Sequence, residues 1–239
     1  MKMLITSILI SHVALGMVAL LIGLIPMFSK KGSRLHNRTG RVYVWCMTYV
    51  AASAILLFVL QPLTIFRLFL SGIAVFSFYL STTGLRAVKQ KKTGSTSLDK
   101  WLTYSTLVVS LGMIGYGIFL ITRSASSMSI LFTFFGVLTL VFATKDARSF
   151  GKPLVKTGQG PGPWFFQHFI RMGSSYIAAF TAFLVNNNGR MLPAGTPEWV
   201  YLAGWIAPTV IGALLITRTV IYYKRKFEGK ANMAPASGR

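Results

Sequence analysis

The sequence predicts an all-α protein, a polytopic transmembrane bundle of seven helices with its N-terminus outside and its C-terminus inside. Three observations predict it. Of 239 residues, 53% are hydrophobic and only 12% are charged, where a soluble domain carries about a quarter charged residues; mean hydropathy is +0.59. Several apolar runs exceed the roughly 18 residues that mark a transmembrane helix. Finally, 25 Lys and Arg stand against four acids for a net charge of +21, and they collect in alternate connections between the apolar runs, as cytoplasmic loops do.

The first span covers about residues 4–28 and follows a single charge, Lys2. Its apolar run of about 24 residues is longer than the core of a signal peptide, and no A-x-A cleavage site follows. The next connection, Lys30 to Arg41 (KKGSRLHNRTGR), holds five basic residues and no acid. That excess over Lys2 orients the N-terminus outward. Spans two (about 42–60) and three (about 63–88) are separated by Gln61-Pro62, a turn short enough to make them antiparallel neighbours.

Arg86, Lys89, Lys91, Lys92 and Lys100 face Asp99 in the following loop, and Trp101 opens span four (about 101–122) at interfacial depth. After the turn Arg123 to Ser127, span five (about 128–143) ends at Lys145-Asp146-Ala147-Arg148. Gly151 to Pro163 (GKPLVKTGQGPGP) is too rich in Gly and Pro to be helical throughout. Span six (about 164–185) carries Ser174, Ala178 and Ala182 at four-residue spacing, which favours close helix packing. A polar turn, Asn186 to Pro197, leads to span seven (about 199–223).

The chain thus reads as one transmembrane domain, 1–223, with a basic cytoplasmic tail, 224–239, disordered at its end. The expected location is the cytoplasmic membrane, and the expected partners are the bilayer and its anionic headgroups. Nucleic acid is excluded, because no stacking platform or recognition motif accompanies the basic charge. The one cysteine, Cys46, lies within an apolar run; it forms no metal or haem-attachment pattern and reads as a small packed hydrophobe.

Ionisable residues are costly in lipid, so each one inside a span marks a candidate site. At about 1.5 Å of rise per residue, His12 lies near or just outside the midplane of span one and Arg67 in the outer third of span three. His168 and Arg171 lie one turn apart in the inner third of span six. Asp146 caps the inner end of span five, and His36 sits at the inner surface before span two. His12 is about 24 Å from the inner end of its helix and His168 about 6 Å, too far apart to share one metal ion with bonds near 2 Å.

Two readings of the inner group follow. His36, Asp146 and His168 suit a divalent metal such as zinc or iron, or His36 and His168 serve as axial ligands of a b-type haem. The plain alternative is structural: Asp146 and Arg171 form a buried ion pair between spans five and six, and His36 lies among headgroups. Similarly, His12 reads as an interhelical hydrogen-bonding group, and Arg67 as a side chain that snorkels to the outer surface.

The stretch KKGSRLHNRTGRVYVWCM (Lys30 to Met47) resembles the KG-x-x-H-x-x-x-G-R-x-Y signature of the bacterial membrane proteins grouped as domain-of-unknown-function family 2306. QHFIRMGSSYIAAFTAFLVNN (Gln167 to Asn187), preceded by Asp146-Ala147-Arg148, is similar to that family's second block. His36, Gly40, Arg41, Asp146, Arg148, His168, Arg171 and Met172 stand at the signature positions. The resemblance implies a helical membrane protein of unestablished activity and names no substrate. A weaker resemblance is to cytochrome b561-type electron carriers, whose two haems use four histidines. This chain has three in all, so the resemblance implies at most one bis-histidine haem.

The leading expectation is an integral membrane protein with a haem- or metal-binding redox site at the cytoplasmic face. The alternative is a carrier or small-molecule binder without a cofactor; no pair of Gly/Pro-broken helices at matching positions supports it. A zinc hydrolase using the inner residues ranks below both, since no nucleophile motif accompanies them.

Overall fold

The structure, a computed structural model, describes residues 1–123, 126–151 and 162–233, with the side chains of 92, 93 and 228–233 excepted. Seven helices make up the fold: α1 (Lys2–Phe28), α2 (Arg34–Leu60), α3 (Ile65–Thr93), α4 (Ser97–Arg123), α5 (Ser127–Ser149), α6 (Pro163–Met191) and α7 (Glu198–Met233). No strand occurs among the described residues. Most of the Gly/Pro-rich connector expected at 151–163 and the end of the basic tail lie outside them.

Six of the seven helices are long and apolar enough to cross a membrane. The exception is α6, whose 29 residues include Gln167, His168, Arg171 and three consecutive asparagines. It packs within the bundle against α1, α3 and α7, so its polar groups find partners in neighbouring helices. Large apolar side chains elsewhere point outward: Trp45 is 74% exposed, Val108 71% and Leu214 67%. In a soluble monomer such surface would demand a partner; here it is the face a bilayer covers.

Several helices are longer than their apolar runs. At the start of α2, the Ser33 hydroxyl accepts the His36 backbone N–H at 3.2 Å, an N-cap that begins the helix at Arg34 and puts His36 on its first turn. The expected polar turn from Asn186 is instead the last part of α6. Asn186 and Asn187 donate to the carbonyls of Ala182 and Phe183 at 2.7 Å each, so their amides are satisfied within their own helix. The 36 residues of α7 span about 54 Å at about 1.5 Å each, beyond the roughly 30 Å of a hydrocarbon core. The expected tail therefore starts as helix.

At the centre, α3 touches α2, α4, α5 and α6. An aromatic core of Phe69, Phe76, Phe132, Phe135 and Trp205 joins α3 to α5 and α7. A second cluster, Ala19, Tyr43, Val44, Cys46 and Met47, joins α1 to α2, with Met172 and Tyr176 of α6 against it. Cys46 is a buried free thiol, as its apolar run predicts. Between α4 and α5 the backbones themselves meet. A Cβ on Gly117 would lie 2.8 Å from the Thr133 nitrogen, and one on Gly136 3.0 Å from that of Ile114.

The C-terminal parts of α3 and α7 meet the start of α6 at one end of the bundle. Lys91 lies 4.8 Å over the Trp164 ring and Lys224 5.8 Å over Phe166, while Phe165 packs on Phe227 at 5.9 Å. Among the described residues most Lys and Arg gather at this basic end, and so do His36, Asp146, His168 and Arg171.

Candidate functional site

The last four carbonyls of a helix have no partner in the helix itself. At the end of α1, Lys31 Nζ donates to the Pro26 and Met27 carbonyls at 2.8 and 2.6 Å. Burial lowers the Lys31 ammonium from its ordinary pKa. His36, brought round by the short connection to α2, donates from Nδ1 to the same Pro26 carbonyl at 3.0 Å. From α6, His168 Nδ1 donates to the Gly84 carbonyl of α3 at 2.7 Å. Carbonyls only accept, so each imidazole carries its proton on Nδ1 and presents Nε2 as a lone pair. The two rings lie 6.2 Å apart, edge to face at 65°, and both are half-buried.

A second cluster surrounds Asp146 of α5. Arg171 Nη2 donates to Asp146 Oδ1 at 2.5 Å, and Gln167 Nε2 donates to the same oxygen at 3.2 Å. The Tyr79 hydroxyl of α3 donates to Oδ2. A further bond runs from Arg171 Nη2 to the Phe142 carbonyl at 3.1 Å, and the guanidinium stacks over the Phe142 and Tyr79 rings at 4.6 and 5.3 Å. Three helices thus converge on one carboxylate. Arg171 and Asp146 are 4% and 6% exposed, so the ion pair is shielded from solvent and its charges depend on these partners.

Gly84 stands between the clusters. Its carbonyl holds His168, and a Cβ there would lie 3.0 Å from Arg171 Cβ and 2.9 Å from Met172 Sδ. The absence of a side chain is what lets α6 approach α3 closely enough to make both sets of contacts.

The expected metal set of His36, Asp146 and His168 is not gathered in one place. All oxygens of Asp146 are committed to Arg171, Gln167 and Tyr79. No group of three His, Cys, Asp or Glu side chains among the described residues is placed to hold a metal ion. Asp146 pairs instead with the buried Arg171 guanidinium, whose charge needs a carboxylate beside it. What remains together is the histidine pair.

His12 lies apart from both clusters, its Nδ1 2.8 Å from the Ser53 hydroxyl of α2. Next to it, Ser11 and Tyr49 pair through their hydroxyls at 2.7 Å. Arg67, at the opposite end of α3, donates from Nη1 to the Pro62 carbonyl at 2.7 Å, at the surface as a snorkelling residue should be. Arg41 turns back to the Asn37 carbonyl of its own helix at 3.2 Å, and Gly40 has nothing within 4 Å of where a side chain would sit.

Sequence reasoning missed Tyr79, Gln167 and Gly84. A tyrosine or glycine in an apolar helix reads as packing, and nothing nearby in the sequence tells otherwise. Gln167 had a signal: it precedes Arg171 by four residues, hence shares its helix face.

A third polar group closes the α3–α4 connection. Thr96 donates twice to Asp99 Oδ2, from its backbone N–H and from its hydroxyl, at 2.8 Å each. Arg86 donates from Nη2 to that same oxygen at 2.9 Å and from Nε to Oδ1. In comparisons with known proteins, no family model, no curated protein and no solved structure matches this chain.

Proposed function

We propose that this chain is a multi-pass protein of the cytoplasmic membrane, N-terminus outside, whose His36–His168 pair binds a transition-metal centre for redox chemistry at the cytoplasmic face. The observation that carries the reading is the anchoring of both Nδ1 atoms on backbone carbonyls, Pro26 and Gly84. Metal-ligating histidines are typically held in this way, because the bond fixes the tautomer and turns Nε2 toward the ion. Rings 6.2 Å apart leave room for one ion with bonds of about 2 Å to each nitrogen.

Two imidazoles do not complete a coordination sphere. With haem iron the porphyrin supplies the remaining ligands; with a divalent ion, water or substrate does. The chain's own contribution is the same in either case: two oriented nitrogen donors, half-buried, beside the cationic Lys31. The residues behind the resemblance to domain-of-unknown-function family 2306 lie at this end, and the proposal extends to that kinship.

Orientation is supported by the gathering of basic residues at one end of the bundle. The same charge supports binding of anionic headgroups, with Lys91 and Lys224 held against Trp164 and Phe166 at this end. A fluorescent reporter on the C-terminus that lights only after export would overturn the orientation.

Purified protein, as isolated and after incubation with haemin or with zinc, iron or copper salts, tests the site. A Soret band or near-stoichiometric metal, lost in both His36→Ala and His168→Ala but kept in His12→Ala, is the expected result. A folded, colourless protein that binds neither haemin nor metal sinks the reading.

A further inference from the structure

Inside the bundle, two polar atoms beside the Asp146 cluster have no hydrogen-bond partner among the described residues: Arg171 Nη1 and Gln167 Oε1. Their side chains start one turn apart on α6 and both reach Asp146 Oδ1. One is a donor and the other an acceptor. A buried polar atom left unpaired is costly, and the described residues offer neither of these a partner. For Gln167 Oε1 the space beside Asp146 does.

A small cleft between α3, α4, α5 and α6 reaches Asp146 and Gln167, and Thr83, Gln90, Ser95, Asp99 and Thr103 line it. Its wall is mostly hydroxyl, amide and carboxylate, with Phe150 as its one large apolar side chain. Two of the chain's four acids face this one space, each already neutralised by an arginine. Strong negative charge to attract a cation is therefore lacking, and so is an apolar wall to hold a lipid tail. What such a surface wets with is water, which needs two to four polar partners.

We propose that this cleft is a hydrated vestibule, in which a bound water donates to Gln167 Oε1 and connects the Asp146 cluster to the aqueous phase at the basic end. The vestibule gives the Asp146 carboxylate a route for proton exchange that the apolar packing around Tyr43 denies to that residue. It is independent of the metal site; only the side from which water enters rests on the proposed orientation.

Tyr79 and Tyr43 make an internal comparison. They are 1% and 2% exposed, but Tyr79 borders the vestibule through Asp146 while Tyr43 bonds Ser175 in the core at 2.9 Å. Hydroxyl radicals generated from water by a synchrotron pulse modify side chains beside bound water, and mass spectrometry reads the rate. On the full-length protein in detergent, Tyr79 is expected to label several-fold faster than Tyr43, and Thr103→Val, which removes a wall hydroxyl, to slow it. Equal protection of the two tyrosines overturns the vestibule.

The entry side is read separately. In a Cys46→Ala background, Ser95→Cys is expected to react with a membrane-impermeant thiol reagent in inside-out vesicles. Reaction only in right-side-out vesicles keeps the vestibule and overturns the orientation, whereas no reaction from either side overturns the opening itself.

Discussion

Arg171 of α6 donates from Nη2 to Asp146 Oδ1 of α5 at 2.5 Å, and both side chains are buried. The pair ties the two helices on either side of the Gly/Pro-rich connector. Tyr79 adds α3 to the same carboxylate. Three of the seven helices therefore depend on one buried charge.

Removing one partner of this pair leaves the other charge buried and uncompensated, at a cost of about 3–5 kcal/mol. Asp146→Ala is expected to lower the melting temperature in detergent markedly, and Asp146→Ala with Arg171→Met to recover most of the loss. An unchanged melting temperature in the single variant would show that the pair does not hold the bundle.

Gly84→Ala places a methyl group 2.9 Å from Met172 Sδ and 3.0 Å from Arg171 Cβ. Overpacking of this kind costs about 1–3 kcal/mol. The comparison is Gly112→Ala, whose Cβ meets nothing within 4 Å and which gains helix propensity. The first variant should melt lower than wild type and the second at the same temperature or higher; the reverse order contradicts the α3–α6 approach described above.

His12 and Ser53 form a single bond between α1 and α2. Such intramembrane bonds average about 0.6 kcal/mol in double-mutant cycles. A cycle of His12→Ala and Ser53→Ala is expected to give a coupling energy of this size. Loss of bound metal or haem in His12→Ala would contradict the separation of this residue from the histidine pair.

Asp99 accepts from Arg86 through two nitrogens and from Thr96 through its backbone and hydroxyl. Asp99→Ala loses the two Thr96 bonds that cap the start of α4, each worth about 1.5–3 kcal/mol as a hydrogen bond to a charged group, as well as an ion pair. Arg86→Ala loses the ion pair and leaves the cap. Thermal melts should therefore rank Asp99→Ala as the more damaging; equal melts would mean that the cap contributes nothing.

The number of helices and their order were legible in the sequence, and so was the place of each polar residue along its helix. Lipid imposes that legibility: every backbone amide in hydrocarbon must be paired within its helix, so an apolar run of sufficient length has one solution. Depth then follows from a fixed rise per residue. On that basis His12 stood apart, and Asp146 and Arg171 were natural partners.

Depth says nothing about rotation. Which way each helix turns about its axis depends on how side chains from four neighbours interlock. Turning α6 brought Arg171 and Gln167 to Asp146 and sent His168 to the Gly84 carbonyl. Tyr79, Gln167 and Gly84 entered the picture only there. The sequence by itself determined which segments are helical, in what order they come and where along each helix its charged groups sit, because hydrocarbon enforces those rules one helix at a time. Only the tertiary structure decided that Asp146 belongs to arginine and tyrosine and that His36 faces His168, because contact between helices is settled jointly by all of them.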